Sequence, residues 1–225
     1  MKRPLAVVCV SGGMDSAVTA AIAAADHGLA FLHANYGQRT EEAELACFHA
    51  LADHFGATAR LVVDFSALRA IGGSSLTDRS IPVREGTPVE GVIPTSYVPF
   101  RNAHLLSAAA SWAEVLGATA IFVGAVWEDS SGYPDCRPVF YEAFEEAIRQ
   151  GTRPETDIRI VTPVIGLTKA EIVRKGTGLA VPFEKTWSCY QSQERACGAC
   201  ESCVLRLKGF ADAGVRDPIP YRSQP

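Results

Sequence analysis

Short valine-rich runs alternate with longer stretches of helix-forming residues, and this alternation restricts the fold more than any other feature of the chain. LAVVCV (5–10), LAFLHANY (29–36), ARLVVDF (59–65), ATAIFVGAV (118–126) and IRIVTPV (158–164) read as buried strands. Between them, SAVTAAIAAADHG (16–28), TEEAELACFHALADHFG (40–56), RNAHLLSAAASWAEVLG (101–117) and VFYEAFEEAIRQG (139–151) read as helices. TKAEIVRKG (168–176) is a further helix, opening with Thr168 and, three residues on, Glu171 in a capping-box arrangement. Strands separated by helices pair in parallel and are covered on both sides, so the expected class is α/β, a parallel sheet with helices on both faces.

Residues 66–100 contain GGSS and further prolines and glycines with little periodicity, and read as one long functional loop. The last residues, GVRDPIPYRSQP, are extended and broken by proline. At 225 residues the chain is long enough to bury a core without disulfide staples. Its net charge of −4 provides no global positive field for nucleic acid and favours a small partner. No window approaches the roughly 18 apolar residues of a membrane helix. Gly12, Gly13 and Asp15 interrupt the first apolar run before a signal-peptide core is complete, so the expectation is a cytoplasmic protein.

SGGMDS (11–16) joins the first strand to the first helix, the place where open α/β sheets hold phosphate. Gly12 and Gly13 allow successive backbone N–H groups to converge on one anion. Ser11 and Ser16 add hydroxyl donors, and the helix N-terminus adds about half a positive charge. No lysine is needed, and the Walker pattern GxxxxGK[ST] is absent. Asp15 would repel phosphate unless a cation intervenes, which assigns it a Mg²⁺ contact. The competing reading is a tight strand-to-helix turn in which Asp15 or Ser16 is a cap.

Four of the seven cysteines, Cys189, Cys197, Cys200 and Cys203, fall in the spacing C-x7-C-x2-C-x2-C. Four thiolates close a tetrahedron around Zn²⁺ and leave no open position, so the site is expected to be structural. A disulfide pair, an iron–sulfur cluster and redox or sulfur-transfer chemistry at Cys197 and Cys200 remain as alternatives. Cys9 and Cys47 read as structural thiols. The expected organisation is an α/β domain over 1–185 and a four-cysteine segment over 186–225 packed on it.

SGGMDS resembles the PP-loop of ATP pyrophosphatases, enzymes that split ATP into AMP and pyrophosphate. NYGQR (35–39), VPFRN (98–102), SGYPDCRP (131–138), TPVIGLTKAEIV (162–173) and VPFEKTWSCY (181–190) narrow the resemblance. With the cysteine spacing, they are similar to the 7-cyano-7-deazaguanine synthase (QueC) family from about residue 5 to 210. That resemblance implies the adenine nucleotide alpha hydrolase-like PP-loop fold, a homodimer, and conversion of 7-carboxy-7-deazaguanine, ammonia and ATP to the nitrile. It also implies ATP contacts from Val10, Ser11, Gly12, Gly13, Met14, Asp15 and Ser16, with Tyr36, Gln38, Arg39 and Asn102 around the adenosine.

Arg101 and Lys169 are fixed positive charges suited to the α-phosphate or the leaving pyrophosphate; solvated or ion-paired surface charges are the other reading. Asp135, Arg137 and Tyr133 are expected at the guanine-like base and its carboxylate, against the alternative of a loop held by an internal Asp135–Arg137 pair. The histidines, His33 and His104 among them, show no ligand spacing and read as structural or exposed. Four positions depart from the family pattern, which has glycine at Phe100, asparagine at Val126, an aromatic at Ser130 and threonine at Ala17. Another PP-loop enzyme, such as an amide-forming synthetase or a tRNA thiolation enzyme, a specialised paralogue, and a non-catalytic zinc and nucleotide module are the readings that compete.

Overall fold

In the computed structural model, which describes residues 3–89, 91–127 and 132–222, five strands form one parallel sheet. They are β1 (Leu5–Cys9), β2 (Gly28–Asn35), β3 (Ala59–Asp64), β4 (Ala120–Val123) and β5 (Arg159–Val161), in spatial order β3-β2-β1-β4-β5. The order reverses at β1, which pairs with β2 on one side and β4 on the other. A crevice therefore opens beyond the carboxyl ends of β1 and β4. The departure from the family pattern at Ser130 lies outside the described residues.

The helices are α1 (Met14–Ala24), α2 (Glu41–Phe55), the short α3 (Ala67–Ile71), α4 (Arg101–Leu116), α5 (Pro138–Gly151), α6 (Lys169–Gly178) and α7 (Glu201–Asp212). Alternate strand residues divide the core. Ala6, Val8, Phe31 and Phe122 face a layer built from α1, α2, α6 and α7, including Ala17, Phe48, Ile172 and Phe210. Val7, Ala30, Leu32, Ile121 and Val123 face α4 and α5 through Leu106, Ala109, Tyr141 and Ile148. Fully burying each large side chain contributes about 1.5–3 kcal/mol, and both faces of β1 are covered in this way. The alanines of α1 bring that helix close enough to the sheet for Ala17, Ala20 and Ala23 to be fully buried.

Five of the expected helices are present within a few residues of their expected limits; α6 opens with the capping box, Thr168 Oγ1 accepting from Glu171 N and Glu171 Oε2 from Thr168 N. The strand expected over 118–126 is shorter, because the backbone leaves the ladder after Val123. The loop of 66–100 is anchored at several points. Ser74, Ser75, Leu76, Ser96 and Val98 are buried, and Gly86 N donates to Ala199 O beside the cysteine segment.

Candidate active site

The loop between β1 and α1 is held open by its neighbours. Gly12 has φ +86, and a Cβ there would lie 2.6 Å from Glu44 O of α2, so no side chain fits between loop and helix. Gly12 O accepts from Trp187 N, which clamps the loop from the other end of the chain. Ser16 Oγ donates to Gly13 O at 2.9 Å, and Ser11 Oγ accepts from Gly13 N and lies 3.3 Å from Ser16 Oγ. No side chain caps α1, so the backbone donors of its first turn remain for a ligand. Val10, Ser11, Gly13, Met14, Asp15 and Ser16 all line a cavity of about 250 Å³ at the sheet switch point. Gly12 stands behind them against α2.

Lys169, the first residue of α6, sends Nζ to Asp15 Oδ2 at 2.7 Å. Asp15 Oδ1 is buried and accepts no hydrogen bond. A carboxylate with one oxygen on a lysine and the other without a partner, beside a phosphate-type loop, fits a hard divalent cation such as Mg²⁺. β4 supports the arrangement from below: a Cβ on Gly124 would lie 2.8 Å from Ser16 N. That glycine is required by close approach, and the sequence reading did not single it out.

The opposite wall comes from the other face of the sheet. Arg101, at the start of α4, donates from Nη1 to Tyr36 Oη at 2.8 Å, and its Cζ lies 5.3 Å from the centre of the Tyr36 ring. Tyr133 Oη donates to Ser96 Oγ and sits 3.5 Å from Tyr190 Oη. Burial pushes the phenols of Tyr36, Tyr133 and Tyr190 above the usual tyrosine range. Asn102 lines the same cavity and turns its amide nitrogen to Asp135 O at 2.9 Å.

Several expected residues lie elsewhere. Asp135 is buried, and its Oδ2 accepts from Asn102 N at 2.9 Å, so the carboxylate satisfies the free N-terminus of α4 instead of lining the cavity. Arg137 is exposed and donates to Pro134 O, and the internal pair with Asp135 is not formed. Arg39 donates to Ser75 O, Asp78 O and Ile81 O, which fastens the long loop. Gln38 is buried in the turn after β2, accepting from Tyr36 N and donating to Glu44 Oε2. His33 is fully buried, with Nδ1 2.8 Å from Val10 O. Its Nε2 has no hydrogen-bond partner, and burial holds the imidazole below the usual histidine range.

The four cysteine sulfurs all lie within 4.8 Å of one another, and Cys197 Sγ to Cys203 Sγ is 3.8 Å. A tetrahedron with Zn–S bonds of about 2.3 Å has edges of about 3.8 Å, so the donor set fits Zn²⁺. Cys189 Sγ accepts from Gln191 N and Cys197 N, and Cys197 Sγ from Ala199 N and Cys200 N, the pattern that stabilises thiolate ligands. All seven cysteines are free of disulfides.

This segment forms part of the cavity wall through Trp187, Ser188 and Tyr190, which flank Cys189. Arg206 of α7, 1% exposed, fixes that wall. It pairs with Asp217 at 2.7 Å and donates to Thr186 Oγ1, Ser188 Oγ and Phe183 O. Glu44, Cys136, Tyr141 and Tyr190 are further lining residues that sequence reasoning passed over. Tyr190 was within reach, because it directly follows a cysteine of the cluster.

A lysine-free SGGMDS loop at the switch point of a parallel sheet, facing a carboxylate–lysine pair, defines a PP-loop protein of the ATP-using class. Residues 5–214 match the family described as "Queuosine biosynthesis protein QueC", and the chain belongs to that family. It is 57% identical over 222 residues to the 7-cyano-7-deazaguanine synthase of Chlorobaculum parvum, covering 98% of this chain and 97% of the relative. It is 59% identical to the enzyme of the same name from Chlorobium phaeobacteroides, covering 98% of each. Among solved structures it is similar to NMN synthetase from Francisella tularensis, at 16% identity and a TM-score of 0.46, covering 80% of this chain and 63% of that one. Among the described residues no helix is long and apolar enough to cross a membrane.

Proposed function

We propose that this chain converts 7-carboxy-7-deazaguanine and ammonia to 7-cyano-7-deazaguanine in queuosine biosynthesis, at the expense of ATP. The observation that carries the reading is one cavity in which the PP-loop, the Asp15–Lys169 pair and Arg101 converge, in a chain of this family. A carboxylate is a poor electrophile, and ammonia meeting the acid makes only a salt. Attack of the carboxylate oxygen on the α-phosphorus of ATP expels pyrophosphate and leaves an acyl adenylate, from which ammonia displaces AMP. The resulting amide attacks a second ATP through its oxygen; loss of that oxygen as AMP, with the two amide protons, leaves the C≡N bond.

The protein's part is positioning and charge stabilisation. Ser11, Ser16 and the backbone N–H groups of Gly13 to Ser16 hold the departing pyrophosphate, and Lys169 faces it from α6. Asp15 Oδ1 would hold Mg²⁺, which when bound offsets the phosphate charge. Val10 flanks the adenosine side, while Gln38 and Arg39 shape the loop around it. Cys189, Cys197, Cys200 and Cys203 would hold a structural Zn²⁺ that keeps Trp187–Tyr190 against the PP-loop. The 186–225 segment thereby acts as a wall of the 1–185 domain, in a cytoplasmic homodimer that uses free ammonia.

The test is mass spectrometry of a reaction holding the purified protein, 7-carboxy-7-deazaguanine, ammonium, Mg²⁺ and ATP. Nitrile together with AMP is the expected outcome. AMP with amide only points to an amide-forming relative, and neither product overturns the assignment.

A further inference from the structure

The two cations of the cavity stand in different electrostatic settings. Lys169 is paired with Asp15 on the α1 and α6 side of the sheet. Arg101 enters from the α4 side, and among the described residues no carboxylate forms an ion pair with it. Two carboxylates feel its charge without pairing with it: Asp135 has turned Oδ2 to the backbone N–H of Asn102, and Glu44, which lines the same cavity, accepts from Thr40 Oγ1 and Gln38 Nε2. Of the five N–H donors of the guanidinium, the hydrogen bond made within the described residues runs from Nη1 to the neutral phenol of Tyr36. A partly buried guanidinium with one neutral acceptor is incompletely compensated and attracts an anion.

The surroundings decide which anion. The phosphate-binding groups, Ser11 to Ser16 and Lys169, lie with α1 and α6. Tyr36, Tyr133 and Tyr190 line the cavity with Arg101, whose guanidinium already lies over the Tyr36 ring, and aromatic walls suit a planar ligand. The hydroxyls of Tyr133 and Tyr190 lie 3.5 Å apart, and Tyr133 is anchored on Ser96. A phosphate would gain nothing from three rings, whereas an acid whose carboxylate is carried directly on a heteroaromatic ring uses both the rings and the fork.

We propose that Arg101, framed by Tyr36, Tyr133 and Tyr190, binds the carboxylate of the planar acid substrate and is the residue that selects a ring-borne carboxylate over the uncharged ring. The assignment rests on the reaction given above and deepens it. The fork holds both carboxylate oxygens in the bound acid; in the reaction one keeps its hydrogen bond to the guanidinium while the other attacks the α-phosphorus from across the cavity, with Lys169 and the PP-loop on the phosphate side. Asp135 and Arg137 then have no direct part in reading the substrate: Asp135 holds the start of α4, and with it Arg101, in place.

Calorimetric titration of the full chain with 7-carboxy-7-deazaguanine and with 7-deazaguanine, both without ATP, tests this together with the KM values for acid and ATP. In Arg101→Gln the affinity for the acid falls roughly 10- to 100-fold, binding of 7-deazaguanine stays within about twofold, and the KM for ATP changes little. Arg101→Lys keeps the charge and loses the fork, so it lies between wild type and Arg101→Gln and decides the matter if the glutamine variant does not fold. Unchanged acid binding in either folded variant, or a rise confined to the KM for ATP, overturns the assignment and makes Arg101 a phosphate ligand. A wild-type chain that binds no acid and forms no AMP in its presence overturns the reaction itself, and the role of Arg101 with it.

Discussion

Lys169 Nζ lies 2.7 Å from Asp15 Oδ2, joining the first residue of α6 to the first turn of α1. The contact sets the orientation of the carboxylate and leaves Oδ1 buried without a hydrogen bond. Asp15→Asn keeps the shape but removes the charge that both Lys169 and a divalent cation need. Pyrophosphate release is expected to fall on the order of 1000-fold, since metal-assisted charge stabilisation is worth several kcal/mol. The melting loss is smaller, about 1–2 kcal/mol, because the Asp15 side chain is 26% exposed and the pair is partly screened. A pyrophosphate-release assay giving near-normal rates for the variant would remove Asp15 from the metal role.

Phe100 occupies the left-handed region at φ +59 and ψ 23, where a side chain is strained. The residue is 56% exposed, and its ring meets His104 and Phe140 edge-on, at 6.5 and 6.0 Å. The departure from glycine at this position is therefore a matter of backbone strain next to α4. Phe100→Gly and Phe100→Ala both lose the ring, but only glycine relieves the backbone. The glycine variant is expected to be about 1 kcal/mol more stable than the alanine variant, a difference of about 2–4 °C in Tm. Both should retain turnover within about threefold of wild type. Equal melting temperatures would show that the left-handed conformation is not strained.

Cys200 is fully buried and is both a member of the sulfur cluster and the N-cap of α7. Loss of the metal should reach the active site through a short path, since Cys189 is flanked by Ser188 and Tyr190, and Trp187 N holds Gly12 O. For Cys200→Ser the zinc content is expected to drop well below one equivalent per chain, with a loss of at least about 3 kcal/mol, near 10 °C in Tm. ATP turnover should fall in step. Metal analysis that finds one equivalent retained, with melting unchanged, counts against the four-thiolate site.

His33 gives stability a pH dependence of known sign. Burial lowers its pKa in the folded state, and Asn35, His49 and Glu41 adjust it. Below pH about 6.5 the unfolded chain takes up a proton that the folded chain refuses, so stability falls as pH drops and levels off below the folded pKa. Glu44 and Asp135, raised by burial, act in the opposite sense above the ordinary carboxylate range. The His33 contribution is isolated as the difference between wild type and His33→Asn, whose amide keeps a donor for Val10 O. Urea unfolding from pH 7.5 to 5.5 should show wild type losing more stability than the variant. A zero difference would mean that the imidazole protonates freely in place.

The strands and five helices were legible because one physical signal, apolar patterning, fixes them, and the SGGMDS loop because its glycines and serines fall where the first strand gives way to a helix. α7 was not, because its buried residues are Glu201, Cys203, Leu205, Arg206, Gly209 and Phe210, in which two charges, a metal-ligand candidate and a glycine interrupt the apolar period. Arg206 is buried only because Asp217, Thr186 and Ser188 converge on it from distant positions. Asp135 and Arg39 show the converse. Charged residues in motif-bearing loops read as ligand contacts, yet here one caps α4 and the other ties down a loop through three carbonyls. Short-range pattern records a residue's chemistry, while its partner is a property of the fold.

Gly124 is the sharpest case of a site residue without a sequence signal, and it yields a test of the whole arrangement. It follows β4, and a Cβ placed on it would lie 2.8 Å from Ser16 N and 2.9 Å from the Asp15 carbonyl carbon. Both are backbone atoms of the first turn of α1, so no side-chain rotation can relieve the overlap. Gly124→Ala must push the turn that carries Asp15 and Ser16 away from β4 by several tenths of an ångström. The donors proposed to hold pyrophosphate would then be misaligned; since about 1 Å of misplacement costs on the order of 100-fold in rate, several tenths of an ångström costs on the order of 10-fold. Overpacking of one methyl group costs about 1–3 kcal/mol, so the protein still folds. The expected result is a soluble variant with nearly normal circular dichroism, a modestly lowered Tm and pyrophosphate release reduced about 10-fold. Wild-type rates would mean that the α1 turn does not bear on the leaving group.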